Sequence, residues 1–99
     1  MIIELLRYQL KPGTVMAFAN TMQQISAKLH ADAGITILFH GAIESEPDGY
    51  LLARSFADLA TMDRQLRQFY ASSVWRNGPR QEIIDAIEHS ERTIVRTEG

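Results

Sequence analysis

Four side chains of this sequence have types and settings that could do chemistry: Tyr8, His40, Arg54 and Trp75. His40 stands in an otherwise apolar run from Ile35 to Ile43, on the side of Thr36 and Leu38. A histidine in an apolar cleft can act as a general base near neutral pH; the alternative is a hydrogen-bonded, partly buried histidine near a strand end. Tyr8 joins an apolar ring to a hydroxyl that could orient a substrate, or else is a core or interface tyrosine. Arg54 has Leu52 and Phe56 beside it on its own side. A guanidinium among apolar groups needs a carboxylate, a phosphate or a ligand anion, and Glu4 and Glu44 are the internal partners on offer. Trp75, the only tryptophan, either walls a pocket or anchors its segment on the core. His40 and Tyr8 are therefore the candidate catalytic pair, with Arg54 and Trp75 as candidate ligand-binding residues.

Several other chemistries are excluded or unsupported. The absence of cysteine removes disulfides, thiolate metal sites and a cysteine nucleophile. No two of the three histidines share metal-ligand spacing, so no metal is expected. His30 and His89 lie at helix ends and read as solvated. Phosphate-loop and dinucleotide glycine patterns are missing, and no cofactor is expected. Ten Lys+Arg against twelve Asp+Glu give a net charge of −2, which offers nucleic acid or an anionic membrane no electrostatic grip. Arg64, Arg67, Arg76 and Arg80 form a mildly basic stretch that reads as solvated surface. No stretch approaches the roughly 18 apolar residues of a membrane span, and no targeting segment is evident at the N-terminus. The expectation is a cytoplasmic protein.

The elements that must position these residues emerge from periodicity. Ninety-nine residues make one domain, 1–99. Ile2–Leu10 reads as a strand ending at Lys11-Pro12-Gly13. Thr14 can cap a helix whose stripe is Val15, Phe18, Met22, Ile25 and Leu29, running to about Ala33 with Gly34 as its stop. Ile35–Ile43 and Tyr50–Phe56 are strands joined through Pro47-Asp48-Gly49. Asp58 can cap a second helix with stripe Leu59, Met62, Leu66 and Phe69. After a short turn at Val74-Trp75, Pro79 opens a third helix that buries Ile83, Ile84 and Ile87, and Arg92–Thr97 is the last strand. The order β-α-β-β-α-β is that of an α+β, ferredoxin-like fold: a four-stranded antiparallel sheet with helices on one face.

The helices cover one face, yet neither side of the strands alternates cleanly with polar residues. Ile3 and Leu5 oppose Leu6, Tyr8 and Leu10. Ile37 and Phe39 oppose Leu38 and Ala42. Tyr50, Leu52 and Phe56 oppose Leu51 and Ala53. So apolar a second face exceeds what soluble monomers leave open. The expected partner is a second copy of the chain, sheet against sheet, as a homodimer or higher assembly.

Four motifs in order carry a family resemblance: Glu4-Leu5-Leu6-Arg7-Tyr8-Gln9-Leu10-Lys11-Pro12-Gly13, Phe56-Ala57-Asp58-Leu59, Ser73-Val74-Trp75 and Ser90-Glu91-Arg92-Thr93-Ile94-Val95-Arg96. Together they span nearly the whole chain, which thus resembles the NIPSNAP domain, a branch of the dimeric α/β-barrel superfamily. The sequence departs from that pattern in its third strand, where Leu52 and Arg54 stand at the family's His and Trp positions. The resemblance implies the ferredoxin-like fold and pairing as a dimeric α/β barrel. It implies no agreed activity, although the superfamily includes cofactor-free monooxygenases, isomerases and haem-degrading proteins. Two functions stay open: a cofactor-free monooxygenase- or isomerase-type enzyme acting on a small apolar molecule in a pocket beside the sheet, with Arg54 holding an anionic or enol oxygen, or a non-catalytic small-molecule-binding or protein-interaction dimer. RNA binding has the same element order but lacks its basic-Gly-aromatic pattern in Tyr50–Phe56.

Overall fold

The computed structural model describes residues 1–98. Its elements are β1 (Ile2–Leu10), α1 (Val15–Thr21), a π-helical turn (Met22–Ser26), α2 (Ala27–Asp32), β2 (Thr36–Ala42), β3 (Gly49–Phe56), α3 (Leu59–Ala71), α4 (Ser73–Arg76), α5 (Arg80–Ala86) and β4 (Ile87–Arg96). The strands form one antiparallel sheet in the order β2-β3-β1-β4, with the helices packed on one face. This is the ferredoxin-like arrangement.

Local chemistry sets the boundaries. Gly34 sits at φ +77° after α2, a left-handed position that halts the helix at little cost. The Asp58 carboxylate accepts the Thr61 N–H at 2.7 Å and caps α3. Thr14 precedes α1, but its hydroxyl turns back to the Lys11 carbonyl rather than capping the helix. The C-terminal third corrects the expectation most. β4 begins at Ile87, not Arg92, because the Ala86 carbonyl accepts the Lys11 N–H and Ile87 pairs directly with Leu10. α5 is thereby cut to two turns, beginning after Pro79. Ile83 is buried, Ile84 is 45% exposed, and Ile87 belongs to the sheet rather than to a helix face.

The π turn shifts the first helical stripe. One wide turn adds a residue and rotates everything after it. Ile25 is 44% exposed instead of buried, while Ser26 and His30 face inward beside Phe18 and Met22.

Two faces of the sheet result. Ile2, Glu4, Leu6, Tyr8 and Leu10 of β1 lie under the helices with Tyr50, Leu52, Arg54 and Phe56 of β3. Ile3 and Leu5 share the open face with Leu51, Ala53, Thr93 and Val95. In β2 the register slips between Ile37 and Phe39. That bulge flips the parity of the rest of the strand. Phe39 therefore pairs with Ala53 on the open face, 52% exposed, and His40 pairs with Leu52 on the covered face with Ile37. The expected grouping of Phe39 with Ile37, and of His40 with Thr36, is corrected on this ground.

Candidate functional site

Between the covered face and α3 lies a cleft of about 550 Å³, lined by Glu4, Leu6 and Tyr8 of β1, Arg54 of β3, Ser90 and Arg92 of β4, and Asp63, Leu66, Arg67 and Tyr70 of α3. It exists because β1, β3 and β4 are in register here. Glu4 stands opposite Arg54 on one side, Leu6 opposite Arg92 on the other, and Tyr8 opposite Ser90. α3 covers this floor through Met62, Leu66 and Phe69, the three buried positions of its stripe.

Charge is concentrated at the cleft's base. Glu4 and Arg54 are each 1% exposed. Arg54 donates through Nε to Glu4 Oε1 at 2.7 Å, and Arg92 donates through Nε to Glu4 Oε2 at 2.6 Å. One carboxylate between two guanidiniums leaves a net charge of +1, with Glu4 and Arg54 buried and the excess on the cleft side at Arg92. Asp63 and Arg67 at the mouth pair with each other and cancel. The Nη1 of Arg54 reaches Tyr70 Oη at 2.8 Å and His30 Nε2 at 3.0 Å. Its guanidinium also lies 5.7 Å from the Tyr70 ring centre. Arg54 is thus largely spent on its own protein, with Glu4 the internal partner among the two that its setting called for. Arg92 is about half exposed, and among the described residues only Glu4 and the Met62 sulfur, at 3.7 Å from Nη2, hold it. It is the guanidinium that faces the cleft with donors to spare.

His30 is fully buried, not solvated as its place near a helix end suggested. Its Nδ1–H donates to the Ser26 carbonyl at 2.7 Å, which leaves the Nε2 lone pair to accept from Arg54. Burial and the neighbouring Arg54 charge hold its pKa down to about 4, so the ring is neutral at neutral pH. It therefore orients Arg54 without adding charge.

Tyr8 lines the cleft, its ring edge-on to Phe18 at 5.6 Å. Its hydroxyl makes no hydrogen bond among the described residues. Burial pushes its pKa well above the ordinary phenol value, so near neutral pH it offers a proton to share rather than a base. His40 is not brought to Tyr8. It lies on β2, two strands away, where its Nδ1 is 2.6 Å from the hydroxyl of Tyr50, a phenol that burial pushes up to about 12. Trp75 is outside the cleft as well. It packs behind Tyr70 and Phe69, with ring centres at 5.2 and 5.4 Å, and braces the wall. Of the four residues singled out from sequence, the cleft gathers Tyr8 and Arg54. Arg92, Tyr70 and His30 were missed. Arg92 was legible as an alternating position of β4 once that strand's true start was known. His30 was hidden by the π turn.

No protein-family model matches the sequence, and no curated protein does. Solved structures do. A NIPSNAP domain protein from Burkholderia xenovorans superposes with a TM-score of 0.87 at 18% identity, over 99% of this chain and 95% of that one. A NIPSNAP family protein from Agrobacterium tumefaciens gives 0.89 at 14% identity, over 98% and 92%. A putative antibiotic biosynthesis monooxygenase from Nitrosomonas europaea gives 0.74 at 10% identity, over 98% of both chains. The likeness read from the four sequence motifs therefore holds at the level of fold.

Proposed function

We propose that this chain is a NIPSNAP-like small-molecule-binding protein whose cleft takes the largely apolar part of a small molecule together with an acidic or enolic oxygen, bound as its anion. The observation that carries the reading is the uncompensated positive charge of the Glu4–Arg54–Arg92 cluster, with Arg92 facing the cleft. Leu6, Leu66 and the rings of Tyr8 and Tyr70 supply the apolar walls. The Tyr8 hydroxyl supplies a second donor. An anion held by a guanidinium and a phenol in a partly desolvated site gains charge-assisted hydrogen bonds worth roughly twice neutral ones.

The test is calorimetric titration with naphthoate. Binding to the unmodified protein, weakened about tenfold or more in Arg92→Gln, is the expected result. No binding, or equal affinity in the variant, overturns the reading.

A second reading, cofactor-free turnover of an enolisable molecule, draws on the fold shared with the Nitrosomonas putative monooxygenase. The cluster would stabilise an enolate. Neither histidine near the core serves as its base: both His30 ring nitrogens are engaged, and His40 is paired with Tyr50 away from the cleft. The open apolar face, with Ile3, Leu5, Leu51 and Phe39, supports self-association of two copies through their sheets.

A further inference from the structure

We propose that a second compartment, beyond Tyr70, binds another anionic group, a carboxylate or phosphate, at the far end of the same ligand. This rests on the cleft being a ligand site and narrows its occupant to elongated molecules with an apolar middle and an anion at each end.

The compartment is a separate concavity of about 550 Å³ lined by Tyr70, Ala71, Ser73, Arg76, Asn77 and Arg80. The lining residues carry two guanidiniums, a carboxamide and a hydroxyl, all four of these residues are exposed, and no carboxylate lines the concavity. Neither Arg76 nor Arg80 forms an ion pair among the described residues. In a chain with a net charge of −2, that local excess is not a reflection of overall composition. A guanidinium pair without a counter-charge in a concave site is a receptor for an oxyanion.

The frame holding the two arginines is stiff. The Ser72 side chain caps α4 by accepting the Trp75 N–H, and Trp75 is buried against Phe69 and Tyr70. The chain then turns so sharply at Gly78 that a Cβ there would lie 2.3 Å from the Val74 carbonyl oxygen, a backbone atom with no room to retreat. Buried Pro79 completes the turn and starts α5 at Arg80. Only glycine permits this approach, and it brings Arg80 round to the pocket that Arg76 lines.

Tyr70 belongs to both cavities. It is 39% exposed, and its hydroxyl is tied to Arg54. A ligand lying over its ring would place one anion at Arg92 and the other at Arg76 and Arg80.

The experiment is an NMR titration of the ¹⁵N-labelled 99-residue chain with inorganic phosphate, with monocarboxylates and with α,ω-dicarboxylates of matched and graded length. Phosphate is expected to shift the Asn77, Gly78 and Arg80 amides. One dicarboxylate of suitable length is expected to shift these together with Ser90 and Arg92, and to bind about tenfold or more tightly than its matched monocarboxylate. The double variant Arg76→Gln/Arg80→Gln should lose that gain and keep the monocarboxylate response at Ser90 and Arg92. The proposal is overturned if phosphate leaves Asn77–Arg80 unmoved, if no dicarboxylate outbinds its monocarboxylate, or if the gain survives the double variant. Failure of the cleft itself reads differently, as monocarboxylates that leave Ser90 and Arg92 unmoved, and it too would overturn the spanning ligand, while the phosphate arm still reports on Arg76 and Arg80 alone.

Discussion

The two faces of the sheet each depart from a simple monomer, in different ways. The covered face is the apolar core of Ile2, Leu10, Leu52 and Phe56, yet Glu4 and Arg54 are almost wholly buried in it, with His30 and Tyr70 closing on them from the helices. The open face carries Arg7 and Glu91 but also a set of apolar side chains, Ile3, Leu5, Leu51, Val95 and Phe39. A sheet with a single core would keep ions out of the first face and apolar groups off the second. The difference teaches that the faces answer to different partners. The covered face is organised by the chain itself around a cleft. The open face suits another protein surface, here taken to be a second copy.

The comparison can be broken most severely at Glu4. Glu4→Gln leaves Arg54 buried with its counter-charge gone, and loss of one member of a buried ion pair costs about 3–5 kcal/mol. Urea unfolding should show a loss of that order at every protein concentration, since the network lies within one chain.

Acid acts on the same face. His30 is neutral when folded, with a pKa near 4 against an ordinary 6.5. The unfolded chain takes up a proton between those values and the folded chain does not. Stability is therefore fully present above about pH 6.5 and falls as pH drops toward 4, by roughly 3 kcal/mol at most. Denaturation across that window should show the slope, and His30→Gln should flatten it.

The open face is sharpened by Leu5→Lys. A charge in a sheet-to-sheet interface forfeits the burial of a leucine, about 2–3 kcal/mol for each copy. Sedimentation should show dissociation that dilution enhances, with no change in naphthoate affinity. Concentration dependence is what separates this face from the other. The smallest effect is away from both faces: Asp58→Ala removes the cap of α3 and should cost about 1 kcal/mol.

How far the sequence spoke for itself differs between these regions. The grouping of residues within β1 and within β3 was readable, because the two strands pair with no register shift from Ile2 to Gln9 and each is bounded by a turn-forming Pro or Gly. That Tyr8 and Arg54 share the covered face was not legible: it follows from the pairing of Tyr8 with Tyr50 and of Glu4 with Arg54, which alternation within each strand does not supply. The regions that misled contain one extra residue. The bulge in β2 exchanges the sides of Phe39 and His40, and the π turn substitutes Ser26 and His30 for Ile25 at the buried face. Neither insertion has a local residue signature, since each is held by tertiary packing. α5 and β4 misled for another reason. The helix passes into the strand without a loop, and the pairing of Ile87 with Leu10, remote in sequence, decides the boundary. Arg92 escaped notice with it, although its partner Glu4 was already in view.

The most direct measurement is a crystal structure of the protein with naphthoate bound. The account predicts the carboxylate at the Arg92 guanidinium and the Tyr8 hydroxyl, with the rings lying between Leu6, Leu66 and Tyr70 beneath α3. Naphthoate seated instead on the open face, against Leu5, Leu51 and Phe39, would contradict the division of roles between the two faces.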